Sequence, residues 1–326
     1  MTVPLIERYR ERLPVSASTP VVSLGEGSTP LLAAPRLAQR AGLRELWLKW
    51  EASNPTGSYK DRGMTVAVSK AVERGAEAVL CASTGNTAAS AAAYAARAGL
   101  PALVLTPEGA VAGAKLAQAR MLGATVLEVQ GSFDEALRAA QELADRGTHV
   151  LVNSLNPDRR EGQKTAVFEV VEELRGAPDA FVLPYGGGGN TSSYAQALAE
   201  LGLETPLVSV EAADRRETLA TAIRIGNPVH ADAVRDSGAR VLDAGDDALV
   251  EAWRALAEVE GLFCEPSSAA GLAAALRGDV EGDRLVVTIT GHGLKDPAVA
   301  DRNAPAPVSV AADPDAIAGA SSARKR

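Results

Sequence analysis

The chain has 326 residues, of which 46% are hydrophobic, so it is long enough for two lobes or one large α/β domain with a substantial core. Its 33 basic and 41 acidic side chains give a net charge of -8, and only 4% of the residues are aromatic. These numbers argue against nucleic-acid binding, which needs basic surface and, for single strands, aromatic stacking. No apolar run reaches membrane-spanning length and the N-terminus lacks a signal-peptide pattern, so we expect a cytoplasmic protein without a membrane partner.

Short apolar segments alternate with longer segments rich in Ala, Leu, Glu and Arg along most of the chain. The predicted strands are Leu46–Trp50, Ala78–Ala82, Ala102–Thr106, Thr125–Val129, Val150–Asn153, Ala180–Pro184, Leu207–Glu211 and Leu285–Thr290. Because these segments lack polar alternation, they predict buried parallel strands. The predicted helices are Met64–Arg74, Thr87–Arg97, Lys115–Leu122, Asp134–Asp145 and Gln163–Leu174. The alternation of strands and helices indicates a doubly wound α/β fold.

The loop before the first of these helices, residues 53–63, contains Lys60 among glycine and hydroxyl residues. A lysine in such a setting can be desolvated, which lowers its pKa and lets the amine condense with an aldehyde. A solvated side chain, or a partner for the neighbouring Asp61, is the alternative interpretation of this residue alone. The loop therefore predicts a reactive lysine only in combination with other features.

Two further loops also follow predicted strands and open helices. Residues 83–87 offer hydroxyls, an amide and free helix N–H groups that could hold a carboxylate, although they could equally form an N-cap. Residues 186–191 contain four consecutive glycines, which favour a phosphate site at a helix N-terminus. A dinucleotide site is the alternative, supported by Glu211 and opposed by Thr191 in place of a glycine, and a plain turn is the third possibility.

The three loops and Thr290–Gly293 share one position in the predicted sheets, because each follows the carboxyl end of a strand. In open parallel sheets this edge is where ligands bind, so one ligand could contact all four segments. Other polar residues are expected to have structural roles: Glu265 is predicted to cap a helix, and His292 is predicted to make a structural hydrogen bond. Cys81 and Cys264 predict buried free thiols, and no metal site is expected.

Five segments together resemble threonine synthase, a member of the fold type II pyridoxal-phosphate enzymes in the tryptophan synthase β-like group. They are the loop around Lys60, residues 83–87, residues 153–159, residues 221–228 and residues 290–297. The resemblance covers about residues 25–318. It implies two open twisted, mostly parallel sheets flanked by helices, with the cofactor in a cleft between lobes. Residues 1–60 and 151–326 would form a large domain, and residues 61–150 a small inserted one.

The resemblance also implies a role for individual residues. Lys60 would form the Schiff base with pyridoxal 5'-phosphate, and Asn86 would contact the cofactor's ring hydroxyl. Thr290 would face the pyridine nitrogen. The cofactor phosphate would be held by Gly187, Gly188, Gly189, Asn190 and Thr191. The substrate carboxylate would be bound by Ser83, Thr84 and Thr87, and a substrate phosphate by Ser154, Asn156 and Arg159, whose planar fork suits phosphate oxygens.

The implied reaction converts O-phospho-L-homoserine and water to L-threonine and phosphate, in an enzyme expected to be a homodimer. Three departures from the family pattern bear on this prediction. The glycine loop has Gly187 where a side chain is usual, Asp158 replaces the usual tyrosine before Arg159, and Ala110 replaces a usual lysine. A related enzyme that performs elimination or replacement on another amino acid is therefore an alternative. A ligand-binding protein without catalysis is a further one.

Overall fold

The computed structural model describes residues 3–109 and 113–323. Residues up to Asp296 form one compact unit, and residues from Pro297 onwards form a second. The first unit contains all ten strands of the described chain and every residue predicted to belong to the site. Ala110, one of the departures from the family pattern, lies outside the described residues.

The ten strands in chain order are β1 (Leu31–Ala33), β2 (Glu45–Trp50), β3 (Ala78–Ala82), β4 (Ala102–Pro107), β5 (Thr125–Val129), β6 (His149–Leu151), β7 (Ala180–Pro184), β8 (Leu207–Ala212), β9 (Arg240–Ala244) and β10 (Arg284–Ile289). The α-helices are α1 (Leu5–Arg8), α2 (Pro35–Ala41), α3 (Lys60–Glu73), α4 (Asn86–Ala98), α5 (Ala114–Met121), α6 (Phe133–Asp145), α7 (Pro157–Leu174), α8 (Gly189–Leu201), α9 (Ala231–Asp236), α10 (Asp246–Glu260), α11 (Ala270–Leu276), α12 (Pro297–Asn303) and α13 (Pro314–Ala323).

The strands form two sheets. The larger has the order β1-β2-β10-β7-β8-β9 and is parallel except for the β1–β2 pair. The smaller has the order β5-β4-β3-β6 and is parallel throughout. Helix α4 packs on one face of the smaller sheet and α6 on the other. The predicted fold class, two mostly parallel sheets flanked by helices, is confirmed, while the domain boundaries near residues 60 and 150 stay a prediction.

All eight predicted strands are present with small shifts at their ends, but two others were missed. β1 has only three residues, and β9 is a short strand with three of its five residues exposed. The prediction that every strand is buried is wrong for β5, which pairs with β4 alone at the sheet edge and exposes three of its five residues. An edge strand with one neighbour keeps one side open to solvent.

Helix α7 begins at Pro157, six residues before the predicted start at Gln163. The Asn156 side-chain oxygen accepts a 2.9 Å hydrogen bond from the Asp158 N–H, and Pro157 occupies the first helical position. Both features stabilise a helix start at this point. Arg159 consequently lies in the first turn of a helix and not in a loop.

Helices α3 and α7 cross with their backbones in contact. A Cβ atom on Gly63 would lie 2.5 Å from the Arg159 carbonyl oxygen, and one on Gly162 would overlap the Arg62 carbonyl. Glycine is the one residue that permits this approach. The crossing lies close to the start of both helices, so it brings Lys60, the first residue of α3, close to the first turn of α7.

Candidate active site

Lys60 is half-buried, and its Nζ donates a 2.7 Å hydrogen bond to the Tyr59 hydroxyl. The interpretation of Lys60 as a partner for Asp61 is wrong. The buried Asp61 carboxylate instead accepts hydrogen bonds from the Thr56 N–H and hydroxyl, both at 2.7 Å, and from the Ser90 hydroxyl at 2.6 Å. Asp61 thereby fixes the loop before Lys60 and leaves the lysine amine free for chemistry.

The Lys60 loop is also joined to the segment after β10. The Tyr59 N–H donates to the Thr290 carbonyl at 3.0 Å, and the His292 N–H donates to the Gly57 carbonyl at 2.9 Å. Lys295 Nζ donates to the Thr56 carbonyl at 2.9 Å. The His292 ring accepts from the Leu294 N–H, so its role is structural, as predicted. These contacts confirm that the two segments meet at one edge of the sheet.

Arg62, two residues after Lys60, holds α3 in place through a buried ionic network. Its guanidinium bonds Glu51 at 2.7 and 2.8 Å and Glu169 at 2.6 and 2.7 Å. It also donates to the hydroxyls of Thr29 and Thr165. Burial alone would raise the pKa of Glu169, but Arg62 and Lys49 hold it well below its usual range. The network is ionised and internally satisfied, so it is structural support and not a binding group.

The tetraglycine loop begins α8 in the way that an anion site requires. Gly188 has φ +80°, in the left-handed region, and a Cβ there would lie 3.1 Å from Val234 and 3.2 Å from His230. The His230 N–H donates to the Gly187 carbonyl at 3.0 Å. The Asn190 side-chain nitrogen is buried and finds no hydrogen-bond partner in the described part of the chain. The helix N-terminus and this amide are therefore available to a phosphate.

Two other residues predicted at this loop are already engaged in the fold. The Thr191 hydroxyl lies 2.7 Å from the Ser209 hydroxyl in the core. Glu211, which supported the dinucleotide alternative, forms an ion pair with Arg215. A role in cofactor binding for Thr191 would therefore fall to its backbone N–H.

Asn86 begins α4, and its side chain faces Glu265. Its Nδ2 donates to Glu265 Oε1 at 2.8 Å, while its Oδ1 is buried with no partner among residues 3–109 and 113–323. Glu265 stands at the N-cap position of the short helix Pro266–Ala269, but its side chain makes no capping bond and reaches Asn86 and Lys115 instead. Sequence reasoning thus missed a residue of the site, since 179 positions separate Asn86 from Glu265.

Thr290 is buried and is the first residue after β10. Its hydroxyl lies 3.0 Å from the Ser268 hydroxyl, which also accepts a 2.9 Å hydrogen bond from the Gly291 N–H. Ser268 thus positions Thr290. A neutral hydroxyl pair stands at this position.

Arg159 is buried, with 1% of its surface exposed, yet only one of its three side-chain nitrogens has a hydrogen-bond partner in the described structure. Its Nη1 donates to the Val152 carbonyl at 3.1 Å, and its Nε and Nη2 have no partner within the described structure. Burial lowers the pKa of Arg159, and the nearby titratable side chains of Tyr59, Cys81 and Asp61 oppose this shift. A buried guanidinium with two unpartnered nitrogens has N–H groups that can bind an anion.

The other residues predicted for substrate binding differ in availability. Both polar ends of the Asn156 side chain serve the fold, one as the α7 cap and the other as a donor to the Leu151 carbonyl. The Ser154 carbonyl accepts from His230 Nε2 at 2.9 Å, which connects this segment to the glycine loop. Ser83 and Thr87 are half-buried and Thr84 is exposed at the start of α4.

Asp158, the acidic departure beside Arg159, is paired. Its Oδ2 lies 3.1 Å from Arg74 Nη2 at the end of α3. Burial raises the pKa of Asp158, and the Arg74 charge opposes that shift. The carboxylate is therefore compensated by a cation of its own and does not depend on Arg159.

Comparison with known proteins places this site in a class. Residues 22–291 match the family described as pyridoxal-phosphate dependent enzyme, and the chain belongs to it. Two solved structures share the fold. Maize serine racemase is 23% identical with a TM-score of 0.73, and the match covers 81% of this chain and 88% of that one. Cysteine synthase from Entamoeba histolytica is 19% identical with a TM-score of 0.77, and the match covers 90% of this chain and 96% of that one.

Curated relatives narrow the class. Threonine synthase of Synechocystis sp. is 47% identical over 95% of this chain and 88% of its own. The threonine synthase of Mycobacterium tuberculosis is 46% identical over 96% of this chain and 94% of its own. The threonine synthase of Methanocaldococcus jannaschii is 44% identical over 94% of this chain and 84% of its own. The chain therefore belongs to the threonine synthase family, which confirms the resemblance carried by its motifs. Among the described residues, no helix has the length and apolarity needed to cross a membrane.

The residues present fit pyridoxal phosphate. Gly188 and the start of α8 form a cradle that side chains would fill, and the Asn190 nitrogen beside it has no partner among the described residues. Within the same residues the buried Asn86 oxygen accepts from no donor, and a ring hydroxyl could supply one. The free Lys60 amine provides the group that condenses with an aldehyde.

Proposed function

We propose that the protein converts O-phospho-L-homoserine and water into L-threonine and phosphate. The observation that carries the proposal is Arg159, a buried guanidinium with two unpartnered nitrogens, on the turn of α7 that crosses α3 just after Lys60. A buried cation of this kind needs an anion, and a fork of N–H groups fits a phosphate better than a single carboxylate oxygen.

Bound pyridoxal phosphate supplies an electron sink for the negative charge that forms when the substrate loses its Cα proton. The backbone at Gly187–Thr191 and the Asn190 amide would hold the cofactor phosphate, Asn86 the ring hydroxyl, and Thr290 the pyridine nitrogen. A neutral hydroxyl at Thr290 would leave that nitrogen unprotonated.

Lys60 holds the cofactor and also moves protons. Its Nζ would accept the proton from Cα, release it, and then accept one from Cβ as the phosphate leaves from Cγ. A proton delivered to Cγ, the addition of water at Cβ and a proton returned to Cα would then complete L-threonine. The Tyr59 hydroxyl accepts a 2.7 Å hydrogen bond from Nζ, which holds the amine in one orientation while it is not bonded to the cofactor. Ser83, Thr84 and Thr87 would hold the substrate carboxylate at the start of α4.

Arg159 acts where charge develops. As the Cγ–O bond breaks, negative charge on the departing phosphate rises, and a preorganised buried guanidinium stabilises that charge more than it stabilises the bound substrate. Ser154 would contribute beside it, while Asn156 would act by holding the first turn of α7 in place.

A related reaction on another amino acid is the second candidate, favoured by Asp158 in place of the family's tyrosine. The Arg74 pair compensates this charge, which removes the main objection to a phosphorylated substrate. We further infer a cytoplasmic homodimer with residues 61–150, which contain β3 to β6, as a smaller domain.

The test is product formation by the purified holoenzyme with O-phospho-L-homoserine. We expect phosphate and L-threonine in equal amounts, and neither with Lys60→Ala. Activity measured with a panel of other phosphorylated and unphosphorylated amino acids distinguishes the second candidate function from the first. If wild type is inactive on O-phosphohomoserine but Asp158→Tyr is active, the natural protein uses another substrate. A protein that binds no cofactor would have no catalytic role.

A further inference from the structure

Glu265 is a buried carboxylate, 1% exposed, whose position depends on three parts of the fold. Its N–H donates to the Gly291 carbonyl at 3.0 Å, next to Thr290. A Cβ on Gly291 would overlap the Glu265 side chain, so glycine at 291 leaves room for this carboxylate. The side chain is therefore held against the segment that would face the cofactor's pyridine ring.

The two carboxylate oxygens of Glu265 have different partners. Oε1 accepts from Asn86 Nδ2 at 2.8 Å, and Oε2 lies 3.0 Å from Lys115 Nζ. Lys115, at the start of α5, also donates to the Thr221 hydroxyl at 3.3 Å. Lys295 is a second cation within electrostatic reach of Glu265, and Cys264 is a neighbouring thiol. Lys115 therefore supplies a positive charge directly beside this buried carboxylate.

A charged carboxylate determines which end of the Asn86 amide faces it. The nitrogen must point to Glu265, because two oxygens would repel at 2.8 Å. The Asn86 oxygen is thereby left as an acceptor, buried and without a partner in the described part of the molecule. An acceptor at this point favours a ligand group that carries a proton.

We propose that Glu265, paired with Lys115, is a positioning residue that locks the Asn86 amide and so controls the protonation of the bound cofactor. Asn86 presents its oxygen to the ring hydroxyl and stabilises the protonated hydroxyl. The proposal rests on the cofactor contact assigned above to Asn86. It does not depend on which substrate reacts.

The experiment is a pH titration of the visible absorbance of the cofactor bound to the holoenzyme, without substrate. In Glu265→Gln the charge that orders the amide is lost, so an Asn86 N–H can face the hydroxyl and stabilise its deprotonated form. We expect the titration midpoint to fall by roughly one pH unit. The control is Glu251→Gln, which removes a surface carboxylate paired with Arg40 at 2.6 Å and should leave the midpoint unchanged.

A double-mutant cycle separates positioning from a purely structural role. In an Asn86→Ala background, most of the shift caused by Glu265→Gln should disappear, because the residue through which Glu265 acts is missing. An unchanged midpoint in Glu265→Gln, or the same shift with and without Asn86, overturns the proposal. If Glu265→Gln does not fold, Glu265→Asp keeps the charge beside Lys115 but withdraws from Asn86. A downward shift in that variant supports the proposal, and a wild-type midpoint overturns it.

Discussion

Arg62 and Arg159 are both buried arginines, on helices that touch, yet they have opposite environments. Arg62 is saturated by Glu51, Glu169 and two hydroxyls, whereas Arg159 bonds one carbonyl and leaves two nitrogens unpartnered within the described residues. The two side chains are equally buried, with 0% of Arg62 and 1% of Arg159 exposed, so burial alone does not distinguish a structural arginine from a ligand-binding one. The supply of partners does, because an unpaired buried charge is costly unless a ligand completes it.

The largest expected effect comes from Lys60→Ala, which tests whether the first turn of α3 takes part in the reaction as well as in the fold. Lys60 and Arg62 share the first turn of that helix, and we expect Lys60→Ala to lower turnover by about 10,000-fold or more, since one group both holds the cofactor and moves protons. The visible absorbance of attached cofactor should also disappear. Substantial turnover by Lys60→Ala, measured as phosphate release, would show that another residue performs these roles.

The second prediction concerns stability. Arg62→Leu leaves Glu51 and Glu169 buried without their shared cation, so the free energy of unfolding should fall by about 3–5 kcal/mol. Arg159→Leu removes a buried charge that forms no ion pair within the described residues, so stability should stay the same or rise by about 1 kcal/mol. Denaturant unfolding of both cofactor-free variants measures the difference. Equal losses would remove the distinction between the two arginines.

The third prediction compares two glycines in the phosphate cradle. Gly188→Ala forces a side chain into the left-handed region, at a cost of about 1–2 kcal/mol, and crowds His230, so the cofactor dissociation constant should rise about 10-fold. Gly187→Ala is the matched control, because its nearest neighbour would be Ile225 Cδ1 at 3.9 Å. Wild-type retention of cofactor by both variants after dialysis would mean that the loop is a plain turn.

The smallest effect should come from Asp158. Burial raises its pKa, so the native protein gains stability from this group at low pH and loses that gain as the pH rises through the folded-state value. Asp158→Asn should therefore be more stable than wild type by less than about 1 kcal/mol, with the difference appearing above about pH 4. Unfolding measured across pH 3–8 checks the sign. A destabilised variant would mean that the Arg74 pair outweighs burial.

Local patterns predicted the strands, the fold class and the meeting of the loops at one sheet edge. Each of these depends on residues close in sequence, such as apolar runs followed by glycine and hydroxyl groups. The contact between Asn86 and Glu265 was not predictable, because it joins helix α4 to a segment that follows α10. Nor did the sequence reveal that Gly63 and Gly162 allow two helices to touch, since neither glycine has a local reason to be there.

The central claim is that Arg159 binds the phosphate of the substrate. It is tested most directly by kcat/KM for O-phospho-L-homoserine in Arg159→Leu and Arg159→Lys, each with cofactor bound to the wild-type level. We predict a loss of about 2–4 kcal/mol in transition-state stabilisation, or roughly 30- to 1,000-fold, with little recovery in the lysine variant because a point charge cannot reproduce the fork. Wild-type kcat/KM in Arg159→Leu would contradict the account.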